Sequence, residues 1–229
     1  MIGIRQAVLL ARPTARSIPW APLAGGGALA VALVVLTDQG LTELRFAAIG
    51  LCVGTAFVLE DAAAATVASA TTPLLVRNAL RIGLALLPLV AFWLLLSWFA
   101  GDVASLALSL ELAAMLSVTL AVAAIAARVG GDGRGGVAAG PALLTLLAAA
   151  FLLLPSRWGL FPAGPEDPLW TPAHRRWALI LLAGVLGLLA ASRDPGRRWG
   201  ALPLRSARCA SSTNDSRRKE NDQCSRPEG

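Results

Sequence analysis

Glu111 is the one acid set well inside an apolar run of this 229-residue chain. An ionised carboxylate at the centre of a bilayer costs about 2.5–3.5 kcal/mol on insertion scales, which points to a pathway role such as ion relay or substrate contact. The run that carries it, 103–127, is long, and Glu111 lies toward its start. Packing, headgroup exposure on a tilted helix, or nearness to Arg45 of the second run would explain it equally. Intramembrane hydrolysis would need a second group at the same depth. Ser97, Ser105, Ser109 and Ser117 lie in or near apolar runs with no histidine or second buried acid to activate them, and spaced serines of this kind act as hydrogen-bonding glue between helices. The single histidine, His174, stands beside Arg175 and Arg176 and is expected at an interface. One histidine excludes HExxH and other multi-histidine metal sites. One lysine, Lys219, and no GxxxxGK[ST] exclude a P-loop ATPase within the chain. GGDGRGG, at 130–136, has no strand before it and no lysine after it, so it reads as a flexible turn. Cys52, Cys209 and Cys224 form neither a CxxC nor a disulfide framework. The chain is not expected to be an enzyme or to hold a cofactor or metal.

A second constellation is the polar-marked stretch Glu60–Arg81, EDAAAATVASATTPLLVRNALR. Glu60 and Asp61 suit the start of a small-residue helix, where negative charge meets the positive end of the dipole. That helix should stop before Pro73, because the residue preceding proline is pushed out of the α region. Thr72 then caps a new helix with Pro73 in its first turn, running past Arg77 and Arg81 into the next apolar run. A short surface helix would thereby be joined through a capped corner to a membrane helix. An ordinary amphipathic connector would read the same way.

The elements that position these residues are membrane helices. The chain is 56% hydrophobic and 15% charged, with mean hydropathy +0.65. Soluble domains run at about 25% charged, so this chain carries too few charges to solvate a globule of its size. Six apolar runs occupy roughly 19–36, 42–59, 80–100, 103–127, 137–155 and 175–192. Each is compared with the ~20 residues that cross a ~30 Å hydrocarbon core, and none alternates with the period of a barrel strand. The fold class is therefore all-α: a polytopic membrane protein with six transmembrane helices. Residues 1–17 read as an interfacial segment, 18–192 as the six-helix domain, and 193–229 as a disordered basic cytoplasmic tail whose Arg193, Arg197 and Arg198 could meet headgroups.

Arginine placement orients the spans. Arg5, Arg12, Arg16, Arg77, Arg81, Arg128, Arg134 and the cluster after the sixth run fall on one side, which makes both termini cytoplasmic. Trp98, Trp158, Trp170 and Trp177 are then expected in an outer aromatic belt, with Trp20 at the inner interface. The outer connection PSRWGLFPAGPEDPLWTP has too many prolines for a long helix and too many large apolar residues for a free loop. It is expected to lie packed on the outer surface, with Thr171-Pro172 as N-cap and first residue of the last helix.

The order of acid, small-residue helix, Thr-Pro and basic shoulder resembles the first cytoplasmic loop of type 2 export permeases, the membrane subunits of ATP-binding-cassette exporters. Glu60, Thr66-Val67, Thr72-Pro73, Arg77 and Arg81 occupy the places of that loop's Glu, Thr-Leu, Thr-Pro and basic residues. The chain departs from the pattern at Ala65, where the family usually has glycine, and in the low charge density of the loop. The likeness covers residues 1–198 as architecture and about twenty residues as motif. It implies an exporter permease that dimerises with a second permease subunit in the plasma membrane. A separate cytoplasmic ATPase would dock at Glu60, Asp61, Thr66, Thr72, Pro73, Arg77 and Arg81. Membrane lipids are the other expected partner, and nucleic acid is not expected. The alanine and arginine bias suggests an actinobacterium-like genome. A non-transporting membrane anchor or regulator is the alternative, and an intramembrane enzyme resting on Glu111 the third reading.

Overall fold

The computed structural model describes residues 4–37, 40–60, 74–101, 106–130, 135–155 and 158–193, with backbone alone for 4–10. Contact clustering separates Met1–Arg193 from Asp194–Gly229, and the second unit lies wholly outside the described residues. Among the described residues there are helices and no strands. In chain order they are α1 (Ile4–Ser17), α2 (Trp20–Leu36), α3 (Leu41–Thr55) with a closing 3₁₀ turn at Ala56–Leu59, α4 (Leu74–Ala100), α5 (Leu106–Gly130), α6 (Gly136–Leu153) and α7 (Trp170–Ala191).

Five segments are long and apolar enough to cross a membrane: Leu41–Leu59, α4, α5, α6 and α7. The number rises to six if Ala11–Ser17 and α2, which meet at a 71° bend, count as one broken span. The 17 residues of α2 rise only about 25 Å, short of a ~30 Å core, because Pro19 interrupts the helix before it. The fold is that of a multi-pass membrane protein.

From α3 to α7 successive helices alternate in direction, giving the bundle two ends. At one, here the roof, residues 158–169 cover the starts of α3, α5 and α7. At the other, the base, Glu60, Arg81, Arg128 and Ser192 come together with the starts of α4 and α6. Along α5 the buried residues Leu108, Glu111, Leu112, Met115, Thr119 and Ala123 fall on helical spacing, so α5 is the central post of the bundle. It packs most extensively on α7. A Cβ at Gly184 of α7 would lie 2.9 Å from Ser117 Cβ, so the seam closes only with glycine there. Ser117 Oγ reaches the backbone oxygens of Ala114 and, at 3.5 Å, of Leu181, which is the interhelical use expected of it. The α2–α3 seam is equally tight: a Cβ at Gly26 would sit 2.6 Å from the Gly50 carbonyl oxygen, and one at Gly54 2.7 Å from that of Pro22.

Two expected details are corrected. The last helix starts at Trp170, with Leu169 rather than Thr171 as its N-cap. Asp167 organises the loop just before that start: its Oδ1 accepts from Leu169 N at 2.8 Å and its Oδ2 from Ala163 N at 3.1 Å. Trp177 is not part of an aromatic belt; it is 2% exposed and its indole N–H donates to the Leu160 carbonyl at 2.8 Å. Trp98 and Trp158, by contrast, are exposed near the roof.

Candidate functional site

At the roof end three titratable side chains from three helices converge below the covering loop. Arg45, one turn into α3, donates from Nε to Glu111 Oε2 and from Nη2 to Glu111 Oε1, both at 2.9 Å. The arrangement is the parallel two-bond fork that a planar guanidinium forms best with a carboxylate. It is dry: the side chains are 10% and 1% exposed. Taking two charges out of water is costly, so such a pair persists only where geometry and further hydrogen bonds hold both partners. Here Arg45 Nη1 donates to the Pro162 carbonyl at 2.8 Å, and its Cζ lies 5.5 Å from the Phe161 ring centroid. Phe161 in turn meets Trp177 edge-on at 5.5 Å. The ion pair is thereby bolted to the loop that roofs it.

His174, in the first turns of α7, is the third member. Its Nδ1 lies 2.8 Å from the Trp170 carbonyl oxygen, an acceptor only, so Nδ1 carries a proton. Its Nε2 is 3.3 Å from Glu111 Oε1, yet it is buried without a well-formed hydrogen bond. In a singly protonated ring that nitrogen presents a lone pair to the carboxylate. Adding a proton to Nε2 turns the same contact into an attraction between opposite charges.

The second expected site lies at the base and is only partly within the described residues. Asp61, Thr66, Thr72 and Pro73 fall outside them, as does the expected Thr-Pro corner. Glu60, Arg77 and Arg81 are described. Glu60 is half-buried, and its Oε1 accepts from Val137 N at 3.2 Å, in the first turn of α6, where a carboxylate also favours the helix dipole. Arg81 is 4% exposed; Nη1 donates to the Glu60 carbonyl at 2.9 Å and Nη2 to Ser17 Oγ at 3.2 Å. Arg77 is half-buried one turn earlier on α4, which begins by Leu74 and absorbs the basic shoulder into the helix. Glu60 and Arg81 thus form an internal clasp joining α1, the end of α3, α4 and α6. Beside it Asn78 donates to Ser192 Oγ at 3.1 Å, and Arg128 donates to the carbonyls of Ala190 and Ala191 at the end of α7.

Sequence reading found Glu111 and named Arg45 as a neighbour, but assigned His174 to an interface on the strength of Arg175 and Arg176. The usable signal was helical spacing. His174 and Trp177 are three apart and share the inward face, while Arg175 is exposed on the other side.

Fold and site together define a polytopic helical membrane protein with a buried charged centre under its roof and a clasp of polar contacts at its base. Comparison with protein-family models, curated proteins and solved structures finds no match.

Proposed function

We propose that the chain is the permease subunit of an ABC-type exporter in the cytoplasmic membrane, with six spans and both termini in the cytoplasm. It would move substrate using a separate ATPase and work as a dimer with a second permease subunit. The observation that carries this reading is the clasp at Glu60 and Arg81. The two ends of the 60–81 loop are hydrogen-bonded to one another and to α1 and α6. A force applied to that loop from the cytoplasm therefore reaches several helices at once. Coupling requires that the ATPase contact the two states of those helices differently, and a clasp with partners on separate helices offers such a two-state element. The bent, basic α1, with Arg12 and Arg16 exposed, suits an interfacial helix beside the first span.

The test is recovery of a P-loop ATPase with the detergent-solubilised protein. Asp61→Lys should abolish recovery, since it alters the loop without touching the Glu60 contact to α6. Unchanged recovery with Asp61→Lys and with Arg77→Glu would reject docking at this loop. A non-transporting membrane anchor is the second reading. It is favoured by the buried two-bond Arg45–Glu111 pair, which suits a static post, and it would be supported if no ATPase were recovered at all.

A further inference from the structure

Along the side of α3 that faces α6 the bundle is not filled. Beneath the roof a cleft of ≈450 Å³ lies between the two helices, with Thr42 and Arg45 at one end and Phe46, Ile49, Leu144 and Leu147 along its walls. A second cleft of ≈660 Å³, walled by α2 from Pro22 to Leu33 as well as by α3, shares Phe46, Ile49 and Leu144 with it and continues past Val53 to Phe57. Together they follow α3 for about 20 Å at 1.5 Å per residue. Phe46, Leu144 and Phe151 on the rim are 59%, 49% and 74% exposed, so the groove opens sideways, toward what would be lipid.

Its polar end is built and incompletely used. Each Arg45 Nη atom carries two N–H groups, and each uses one, on Pro162 O and on Glu111 Oε1. Two N–H groups of a side chain nine-tenths buried therefore remain beside the cleft that Arg45 lines. The hydroxyl of Thr42, exposed one turn earlier, is at the same level. Among the described residues no acidic side chain lines the cleft. The unmet need is for acceptor oxygens at the end of a span, followed by an apolar body running toward the middle of the bundle. A transmembrane helix brings free acceptor oxygens to such a place only at its C-terminal turn, its other carbonyls being bonded within itself, whereas a lipid carries ester and phosphate oxygens at the head of each chain.

We propose that this groove is a binding site for a bilayer glycerophospholipid. Its ester or phosphate oxygens accept from Arg45 and Thr42, and an acyl chain lies on Phe46, Ile49, Leu144 and Leu147. The order of chemistry along the groove, donors at the boundary and hydrocarbon inward, is that of a lipid standing in its own leaflet. The site goes beyond the exporter reading and does not depend on it, since an anchor protein with this groove would bind the same molecule.

The experiment uses the full chain in phosphatidylglycerol nanodiscs doped with a phosphatidylglycerol carrying a mid-chain diazirine, with adducts mapped by mass spectrometry. A diazirine-bearing alkane without oxygen serves as the second probe. The lipid probe should label the peptides around Ile49 and Leu144–Leu147 several-fold more than the lipid-facing Leu87 and Leu94 of α4, and the alkane should not discriminate. Ala148→Trp, which fills the cleft without touching a polar contact, should lower cleft labelling to the α4 level, and Thr42→Val should lower it partway. Even labelling of both regions, labelling unchanged by Ala148→Trp, or Ile49→Cys disulfides between two copies across the groove would each overturn the proposal.

Discussion

Arg45 and Glu111, 66 residues apart in sequence, meet in two parallel 2.9 Å hydrogen bonds inside the bundle. That relationship ties α3 to α5, and through Pro162 it ties both to the roof. Breaking a buried pair by removing one partner costs about 3–5 kcal/mol, because the other charge is left without compensation. Glu111→Gln should therefore lower the thermal stability of the purified protein sharply. A double change, Arg45→Met with Glu111→Leu, should recover much of the loss, since a packed apolar pair can equal a buried ionic one. Strict additivity of the two single changes would show that the residues do not act as a pair. If Glu111→Gln proteins that remain folded also keep the proposed export activity in full, Glu111 is a brace rather than a pathway residue.

The proton on His174 is directly observable. Nitrogen chemical shifts of the labelled imidazole should show Nδ1 protonated throughout the pH range in which the fold persists, because the Trp170 carbonyl accepts only from an N–H. A ring whose single proton sits on Nε2 would contradict this geometry.

The α5–α7 seam predicts a contrast between two glycines. Gly184→Val forces a side chain into Ser117 and should cost about 1–3 kcal/mol as overpacking. Gly25→Ala, where nothing lies within 4 Å of the added Cβ, should be neutral or stabilise α2 by up to about 1 kcal/mol. Paired melting curves of the two variants check this, and equal effects would deny the seam its close contact.

Much of the fold was legible because hydrophobic runs of membrane length carry their own boundaries. The runs expected at 103–127 and 137–155 are α5 and α6 to within a turn, since glycines and charges punctuate them. The run expected at 19–36 is α2 to within a residue, but composition does not register the 71° bend at which the preceding helix meets it. The packing of the proline-rich roof could be foreseen from Leu160 and Phe161, whose apolar area has to be covered. The details of its end could not, because Asp167 reaches both Ala163 and Leu169 only once the loop has folded. Trp177 and His174 were misplaced for a common reason. Neighbouring arginines describe the exposed side of a helix and say nothing of its other face. At the base, Glu60 and Arg81 were singled out as surface chemistry, and the structure gives both an internal partner as well.

The central claim is that force enters at the base and is passed to the spans through the Glu60–Arg81 clasp. Spin labels on the exposed Leu75 and Val137, in a background lacking Cys209 and Cys224, bracket that clasp on α4 and α6. Their separation, measured by pulsed electron resonance with the proposed ATPase partner bound, should shift by about 2 Å or more between nucleotide-free and vanadate-trapped states. Superimposable distance distributions from a complex that is hydrolysing ATP would contradict the account.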